Sequence, residues 1–175
     1  MTPTEMTVTF FPFPYLETER LSLWQLEWTD AADILTLRSD PRVNKYIDRS
    51  AMTSIEEAAH FIAKINEGIK QGTWIFWAVA DKKTKKFYGT ICLWNIVKEE
   101  GKVELGYELL HEAGGHGYMS EAIAKVLEFG AQKMNVKTVE AIIMEGNERS
   151  IKLAEKHGFV YEGWKESNMI YTLKL

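Results

Sequence analysis

The sequence predicts a single-domain α/β fold with a mixed, mostly antiparallel sheet flanked by helices. Three observations predict it. The chain has 175 residues, the size of one domain and enough to bury a sizeable core. Three consecutive strand-like runs (Trp74 to Ala80, Phe87 to Val97, Val103 to Leu110) are joined only by DKKTKK and KEEGK, connections short and polar enough for antiparallel hairpins. After them helical and strand-like patterns alternate, and the chain closes on two more strands, giving the order β-α-α-α-β-β-β-α-β-α-β-β.

The elements follow in order. Residues 1–14 read as an extended arm, with Pro12 and Pro14 interrupting the apolar part and no basic segment ahead of it, which is not the pattern of a signal peptide. The domain proper is expected over 15–175. RLSLWQL, Arg20 to Leu26, alternates like a strand. Thr29 or Asp30 can cap a helix carrying Ile34, Leu35 and Leu37 that stops before Pro41, and a short turn follows over Val43 to Ile47. Thr53-Ser54-Ile55-Glu56-Glu57 holds two overlapping capping boxes. Behind them Ile55, Ala58, Ala59, Ile62, Ile65 and Ile69 share one helical stripe, ended by Gly72. Beyond the three hairpin strands, a helix is expected to turn Ala122, Ile123, Val126, Leu127, Ala131 and Met134 inward. Val136 to Glu145 is a strand, Asn147 caps a helix running to His157, and Phe159 to Trp164 and Met169 to Leu175 are the closing strands.

Composition narrows the function. Lys and Arg number 21 against 25 Asp and Glu, a formal net charge of −4, the wrong sign for a nucleic-acid grip and suited to a cationic substrate. The single Cys92 excludes an intrachain disulfide framework and fits a reducing, cytoplasmic setting; in an apolar run it reads as a core residue. No stretch has the ~18 apolar residues of a membrane helix. His60, His111, His116 and His157 show no zinc spacing with Cys92, so no metal is expected.

The chemistry concentrates in HEAGGHGYMSEAIAKVLEFGAQKM, His111 to Met134, where three glycines lead directly into a helix. Glycine admits close backbone approach and positive φ; unpaired N–H groups at a helix start form an anion site. Gly115, His116, Gly117, Tyr118, Met119 and Ser120 would donate those amides to a phosphate or pyrophosphate. A tight turn needing flexible residues is the alternative. A Walker loop is excluded because Tyr118 follows Gly117 where Lys is required. A dinucleotide fingerprint, Gly115-x-Gly117-x-x-Ser120, needs a parallel βαβ unit near the start of a doubly wound sheet, and here three antiparallel strands come first.

A second motif lies in GNERSIKLAEKHGFVYEG, Gly146 to Gly163. Together the two stretches resemble the GNAT superfamily of N-acetyltransferases. Its loop, Gln/Arg-x-x-Gly-x-Gly/Ala, takes the register Gly114-Gly115-His116-Gly117-Tyr118-Met119. Its later Asn-x-x-Ser/Ala and Glu-Lys-x-Gly-Phe match Asn147, Ser150, Glu155, Lys156, Gly158 and Phe159. ETERLSLWQL and DAADILTLRSDPRVNKYI, within Glu17 to Ile47, look like the branch that acetylates ribosomal-protein N-termini. The resemblance runs from Tyr15 through nearly the whole chain.

The resemblance implies acetyl transfer from acetyl-CoA to a primary amine, protein-borne or small, by a cytoplasmic monomer or homodimer without a metal. It implies cofactor contacts from Gly114 to Ser120, from Asn147, and from the backbone of Leu109 and Leu110 where their strand splays from the next. Glu104 is the expected base and Ser150 the expected proton donor to the leaving thiolate. A solvated carboxylate is the alternative for Glu104, and more so for Glu108 on the same face; first-turn capping is the alternative for Ser150, and a solvated loop position for His116. Gly106 would clear space between the carboxylates. Trp74, Trp77, Trp94 and Tyr46 are expected either to line the acceptor pocket or to fill the core. Four departures stand out: Gly114 replaces a polar side chain, Met119 a small one, Trp24 an Arg common in that branch, and Ala154 occupies the register of the usual general-acid Tyr. The last keeps open a noncatalytic acyl-CoA sensor on the same scaffold; a nucleotide-dependent oxidoreductase is the most distant option.

Overall fold

The computed structural model describes residues 5–175. Eight strands form one sheet: β1 (Leu16–Glu17), β2 (Leu21–Trp24), β3 (Ile75–Asp81), β4 (Phe87–Val97), β5 (Lys102–Leu109), β6 (Thr138–Met144), β7 (Val160–Lys165) and β8 (Asn168–Lys174), in the order β1-β2-β3-β4-β5-β6-β8-β7. Every pairing is antiparallel except β5 with β6. This is not the parallel sheet a dinucleotide fold needs, so the oxidoreductase reading falls on topology. The helices are α1 (Ala31–Ser39), α2 (Pro41–Asn44), α3 (Ile55–Lys70), α4 (Tyr118–Phe129) and α5 (Glu148–Lys156). The element order matches the sequence expectation with one addition, the two-residue β1.

Local chemistry sets the helix starts. Ser54 Oγ accepts from Glu57 N at 3.2 Å while the Glu57 carboxylate reaches back to Thr53 N and Oγ1, so of the two expected capping boxes only the Ser54 half of one forms, and the returning carboxylate binds one residue earlier, at Thr53. Asn147 Oδ1 accepts from Ser150 N at 3.3 Å. Asp30 precedes α1 but makes no side-chain cap. Its carboxylate turns back and accepts from Glu27 N at 2.8 Å. The helix α4 ends in a π-helical turn, Gly130–Met134, closed by Asn135 at φ 61.

The sheet carries a core on both faces. On one, Trp77 and Leu93 pack beneath α4, with Trp77 edge-on to Phe129 at 5.4 Å. On the other, α1 and α3 cover Phe76, which meets Phe61 at 6.4 Å. The inward stripes are narrower than their periodicity suggests. Ala58, Ile62, Ile65 and Ile69 are buried whereas Ile55 and Ala59 are exposed; in and after α4, Ala131 is exposed while Met134 is buried. Met6 and Phe10 of the N-terminal arm are buried, Thr7 N donates to Met134 O at 2.8 Å, and Trp77 Nε1 donates to Pro14 O at 2.8 Å.

The arrangement that positions a site is the β5–β6 pair. It has three rungs, Lys102↔Thr138, Val103↔Val139 and Glu104↔Glu140, and then the strands part. Because β6 continues in register with β8 as far as Met144↔Asn168, the parting opens a wedge inside the sheet rather than at its edge.

Candidate functional site

The wedge and the face covered by α1 and α3 form one continuous cavity of about 680 Å³, whose lining includes Glu104, Gly106, Tyr107, Glu108, Asn147 and Ser150. Strand alternation puts Glu104, Gly106 and Glu108 on the same face. Gly106 is required by space: a Cβ there would lie 2.9 Å from Cys92 Sγ and 3.3 Å from Trp94 Nε1. Cys92 is itself buried, and burial holds its thiol well above the ordinary range.

The two carboxylates differ sharply. Glu104 is held above the usual carboxylate range by burial first, with Asn95 Nδ2 at 3.3 Å offsetting part of the shift and Glu140 adding to it. Asn95 stands at φ 45 beside a register break in the β4–β5 ladder, between Trp94 and Val97; the break aims its amide at Glu104. Glu108 is not the solvated carboxylate that the sequence allowed. Its side chain is 12% exposed, paired with Arg38 Nη1 at 2.8 Å and flanked by Arg49 Nη2. Both arginines come from the α1–α3 layer, which a strand pattern does not reveal.

Ser150 sits in the first turn of α5, and both it and Tyr107 line the cavity. Burial raises the Tyr107 phenol, offset by a hydrogen bond with Ser150. Ala154, in the register of the usual tyrosine, is buried. Tyr107 is therefore the phenol nearest the expected proton donor, and sequence reasoning missed it because it arrives from β5 rather than from α5. Trp74, Trp94 and Tyr46 line the cavity, while Trp77 is fully buried on the opposite face.

Just past the end of β5, Leu110 N donates to Tyr88 O of β4 at 2.8 Å and Leu110 O accepts from Ala113 N at 2.9 Å. Both of its main-chain groups are thus engaged inside the chain. The antiparallel ladder alternates, so Leu109, together with Tyr107 and Leu105, turns its N–H and C=O toward the wedge. The backbone offer expected of Leu109 and Leu110 falls to Leu109.

The glycine loop has the geometry of a nest. Gly115 has φ +83 with open space where a Cβ would stand, and Gly117 has φ +77 and forms the α4 N-cap with no side-chain cap. Glu121 N bonds to Gly117 O at 3.1 Å, so the N–H groups of Tyr118, Met119 and Ser120 are first-turn donors. The side chains point elsewhere. Met119 is buried in the core, which explains why its size is tolerated. Tyr118 stacks on Tyr88 at 4.2 Å, His116 stacks on Tyr118 at 5.3 Å, and Ser120 Oγ is 3.0 Å from His157 Nε2.

Two arginines at this loop were not anticipated. Arg20 Nη1 donates to His116 O at 2.8 Å and its Nε pairs with Glu121 at 2.8 Å, bracing the loop from the residue just ahead of β2. Arg149 fills the room left by Gly114: a Cβ at that position would meet its Nη1 at 2.8 Å. A guanidinium from the first turn of α5 thus stands where the loop's own polar side chain is missing. The clue in the sequence was the coincidence of Gly114 with a nearby Asn-x-Arg-Ser, and only the fold brings the two together. Among the described residues no group of three or more His, Cys, Asp or Glu could hold a metal ion, and no helix is long and apolar enough to cross a membrane.

Comparison with known proteins agrees with this geometry. Residues 20–160 match the family described as the acetyltransferase (GNAT) domain. The chain is 33% identical over 151 residues to the uncharacterized N-acetyltransferase YoaA of Bacillus subtilis, covering 86% of this chain and 85% of that protein. A ribosomal-protein-S5-alanine acetyltransferase from Vibrio fischeri superposes with a TM-score of 0.82 at 21% identity over 92% of this chain and 96% of that one. The microcin C7 self-immunity acetyltransferase MccE, solved with acetyl-CoA and AMP, gives a TM-score of 0.82 at 18% identity over 97% of this chain and 100% of that one. The family match spans 141 residues (20 to 160), which hold the wedge, the amide nest and most of the second motif; the chain belongs to the GNAT acetyltransferases, and its activity is acyl transfer.

Proposed function

We propose that this chain transfers the acetyl group of acetyl-CoA to a primary amine, with a protein N-terminal α-amine as the leading acceptor class. The observation that carries this is the wedge: a strand edge with unpaired amides at Leu109, bounded by the glycine nest at one end and by Glu104 at the other. An extended, amide-bearing pantetheine can pair with such an edge, and a pyrophosphate suits the nest. Gly114 to Ser120 and Asn147 lie along that path, and Arg149 supports the reading by supplying a cation to the phosphates. The acetyl-CoA in MccE and the ribosomal-protein substrate named for the Vibrio fischeri enzyme support the donor and the acceptor class in turn.

The chemistry balances on residues of this chain. An α-amine titrates near ~8, so it must lose a proton to attack. Glu104, with its carboxyl raised toward neutrality, takes that proton. The nitrogen lone pair bonds to the thioester carbonyl carbon, the C–S bond breaks, and the departing thiolate takes a proton from the Ser150 hydroxyl, with the Tyr107 phenol beside it. The second proton of the acylated nitrogen passes to the Ser150 oxygen, and Glu104 gives its proton to water, so both side chains return to their starting forms. Holding both reactants in the wedge can lower the barrier by roughly 7–11 kcal/mol. We place the reaction in the cytoplasm and the catalytic unit within residues 15–175, with residues 5–14 of the expected arm laid against it and residues 1–4 outside the described residues.

The test is thiol release from acetyl-CoA against a panel of amines. Turnover on at least one amine is expected. Calorimetric binding of CoA with no turnover on any amine would restore the noncatalytic sensor.

A further inference from the structure

The end of the cavity away from Glu104 holds more positive charge than its own partners use. Arg38 and Arg49 share the single carboxylate of Glu108, and their side chains are only 19% and 16% exposed. Arg38 bonds Glu108 through Nη1 and lies over the Phe61 ring at 4.1 Å. Arg49 gives Nε and Nη2 to Asn44 Oδ1 at 3.0 and 2.6 Å. Its contact with Glu108 Oε1 is a charge pair without hydrogen-bond alignment, since that oxygen has no hydrogen-bond partner.

A guanidinium has five N–H donors. Among the described residues, Arg38 Nε and Nη2 and Arg49 Nη1 have no partner, and both residues line the cavity. The positions are fixed rather than mobile: Asn44 Nδ2 donates to Arg38 O at 2.9 Å and Met52 N to the same oxygen at 3.1 Å. At the mouth, exposed Lys64 and Lys165 are matched by exposed Asp48 and Glu166, and water screens all four. The interior excess of one positive charge is not offset there. Burial, opposed by Glu108 and reinforced by the like charge of Arg49, lowers the Arg38 guanidinium from its ordinary range, the strain expected of two cations held by one anion.

We infer that the acceptor is an amine that also carries a carboxylate, which docks on the spare donors of Arg38 and Arg49 while its amine faces Glu104. This rests on the acetyl-transfer reading above and deepens it. Guanidinium forks match carboxylate oxygens in bidentate geometry, and the weak hydration of the fork suits a half-dry cavity. The chemistry covers two sources: the α-carboxylate of a free amino acid, and the acidic side chain of a peptide near its N-terminus.

Matched pairs test it. Free amino acids are set against their amides, and short peptides with Asp or Glu at position two against the same peptides with Asn or Gln. Affinity for the CoA-loaded chain is measured by calorimetry and turnover by thiol release. The carboxylate member of at least one series is expected to bind about ten- to hundredfold better, and the series that shows it identifies the source. Raised salt narrows the ratio. Arg38→Gln and Arg49→Gln are expected to bring it near one, and Arg49→Lys to keep part of it, with unchanged CoA affinity showing that each variant is folded. Should Arg38→Gln fail to fold, the wild-type ratio and the Arg49 variants decide alone. Ratios near one in both series with the wild-type protein, or a preference that survives Arg49→Gln, overturn the inference. Carboxylate-selective binding with no thiol release from any amine would instead defeat the acetyl-transfer reading and leave the anion site standing.

Discussion

Glu104 and Glu140 face each other on the last rung of the parallel β5–β6 ladder, and the strands separate directly beyond them. Glu140 is balanced by Lys102 Nζ at 3.1 Å, while Glu104 is half-buried beside the cavity with neutral donors from Asn95 and Trp94 and only the weaker attraction of Lys165. The rung that ends the pairing is thus also the place where a carboxyl is pushed toward the pKa of a useful base.

Glu104→Gln is expected to lower kcat/KM by about 10²–10⁴ with coenzyme affinity unchanged. In the wild type the base form is lost as pH falls through the raised pKa, so the acid limb of the pH–rate profile lies above the ordinary ~4.3 of glutamate. The Gln variant lacks that limb. A folded-state pKa raised above the unfolded value means that Glu104 supports the fold below its unfolded pKa, and that this contribution is lost as pH rises through the folded pKa. The thermal stability of Glu104→Gln relative to wild type therefore improves between acid and neutral pH. An unaltered rate profile removes Glu104 from the mechanism.

Gly117→Glu is expected to abolish CoA binding by calorimetry. Gly117 stands at φ +77, which costs a residue with a side chain about 1–2 kcal/mol, and the new carboxylate enters the nest meant for an anion. Circular dichroism is expected to report a retained fold. Unchanged affinity would refute the nest.

Arg149→Ala is expected to weaken CoA about tenfold and to flatten its salt dependence. Gly114→Gln alone is expected to push the Arg149 guanidinium aside and weaken CoA, because its Cβ would meet Arg149 Nη1 at 2.8 Å. In the double variant the new side chain gains that space, and affinity returns partway. Additive losses would show that the two positions do not share one role.

Trp77→Ala is expected to cost about 3–5 kcal/mol in denaturant unfolding. The ring is fully buried, meets Phe129 at 5.4 Å, and its Nε1 holds Pro14 O at 2.8 Å. Faster hydrogen exchange across residues 6–14 accompanies the loss, since the arm's anchor goes with the ring. Unchanged exchange there would show that Met6 and Phe10 hold the arm without it.

Much of this was legible in the chain alone. Hydrophobic period and turn chemistry are local, so they delimited the strands and helices to within a few residues and located the caps at Ser54 and Asn147. The amide nest was legible for the same reason: Gly115 and Gly117 adopt positive φ, which glycine alone takes without strain. Alternation put Glu104 and Glu108 on one face. It could not say what covers that face, and so the two carboxylates looked alike.

The tertiary structure separated them. Arg38 reaches Glu108 across 70 positions of sequence, Arg149 comes to Gly114 from the first turn of α5, and Tyr88 claims the Leu110 amide that seemed free. By itself the sequence determined the order of elements and the chemistry each could display, because backbone propensity acts over a few residues. Which charges are buried, which amides remain unpaired and where the sheet opens were decided only by the fold, because burial and hydrogen-bond satisfaction depend on whichever distant segment arrives to cover a group.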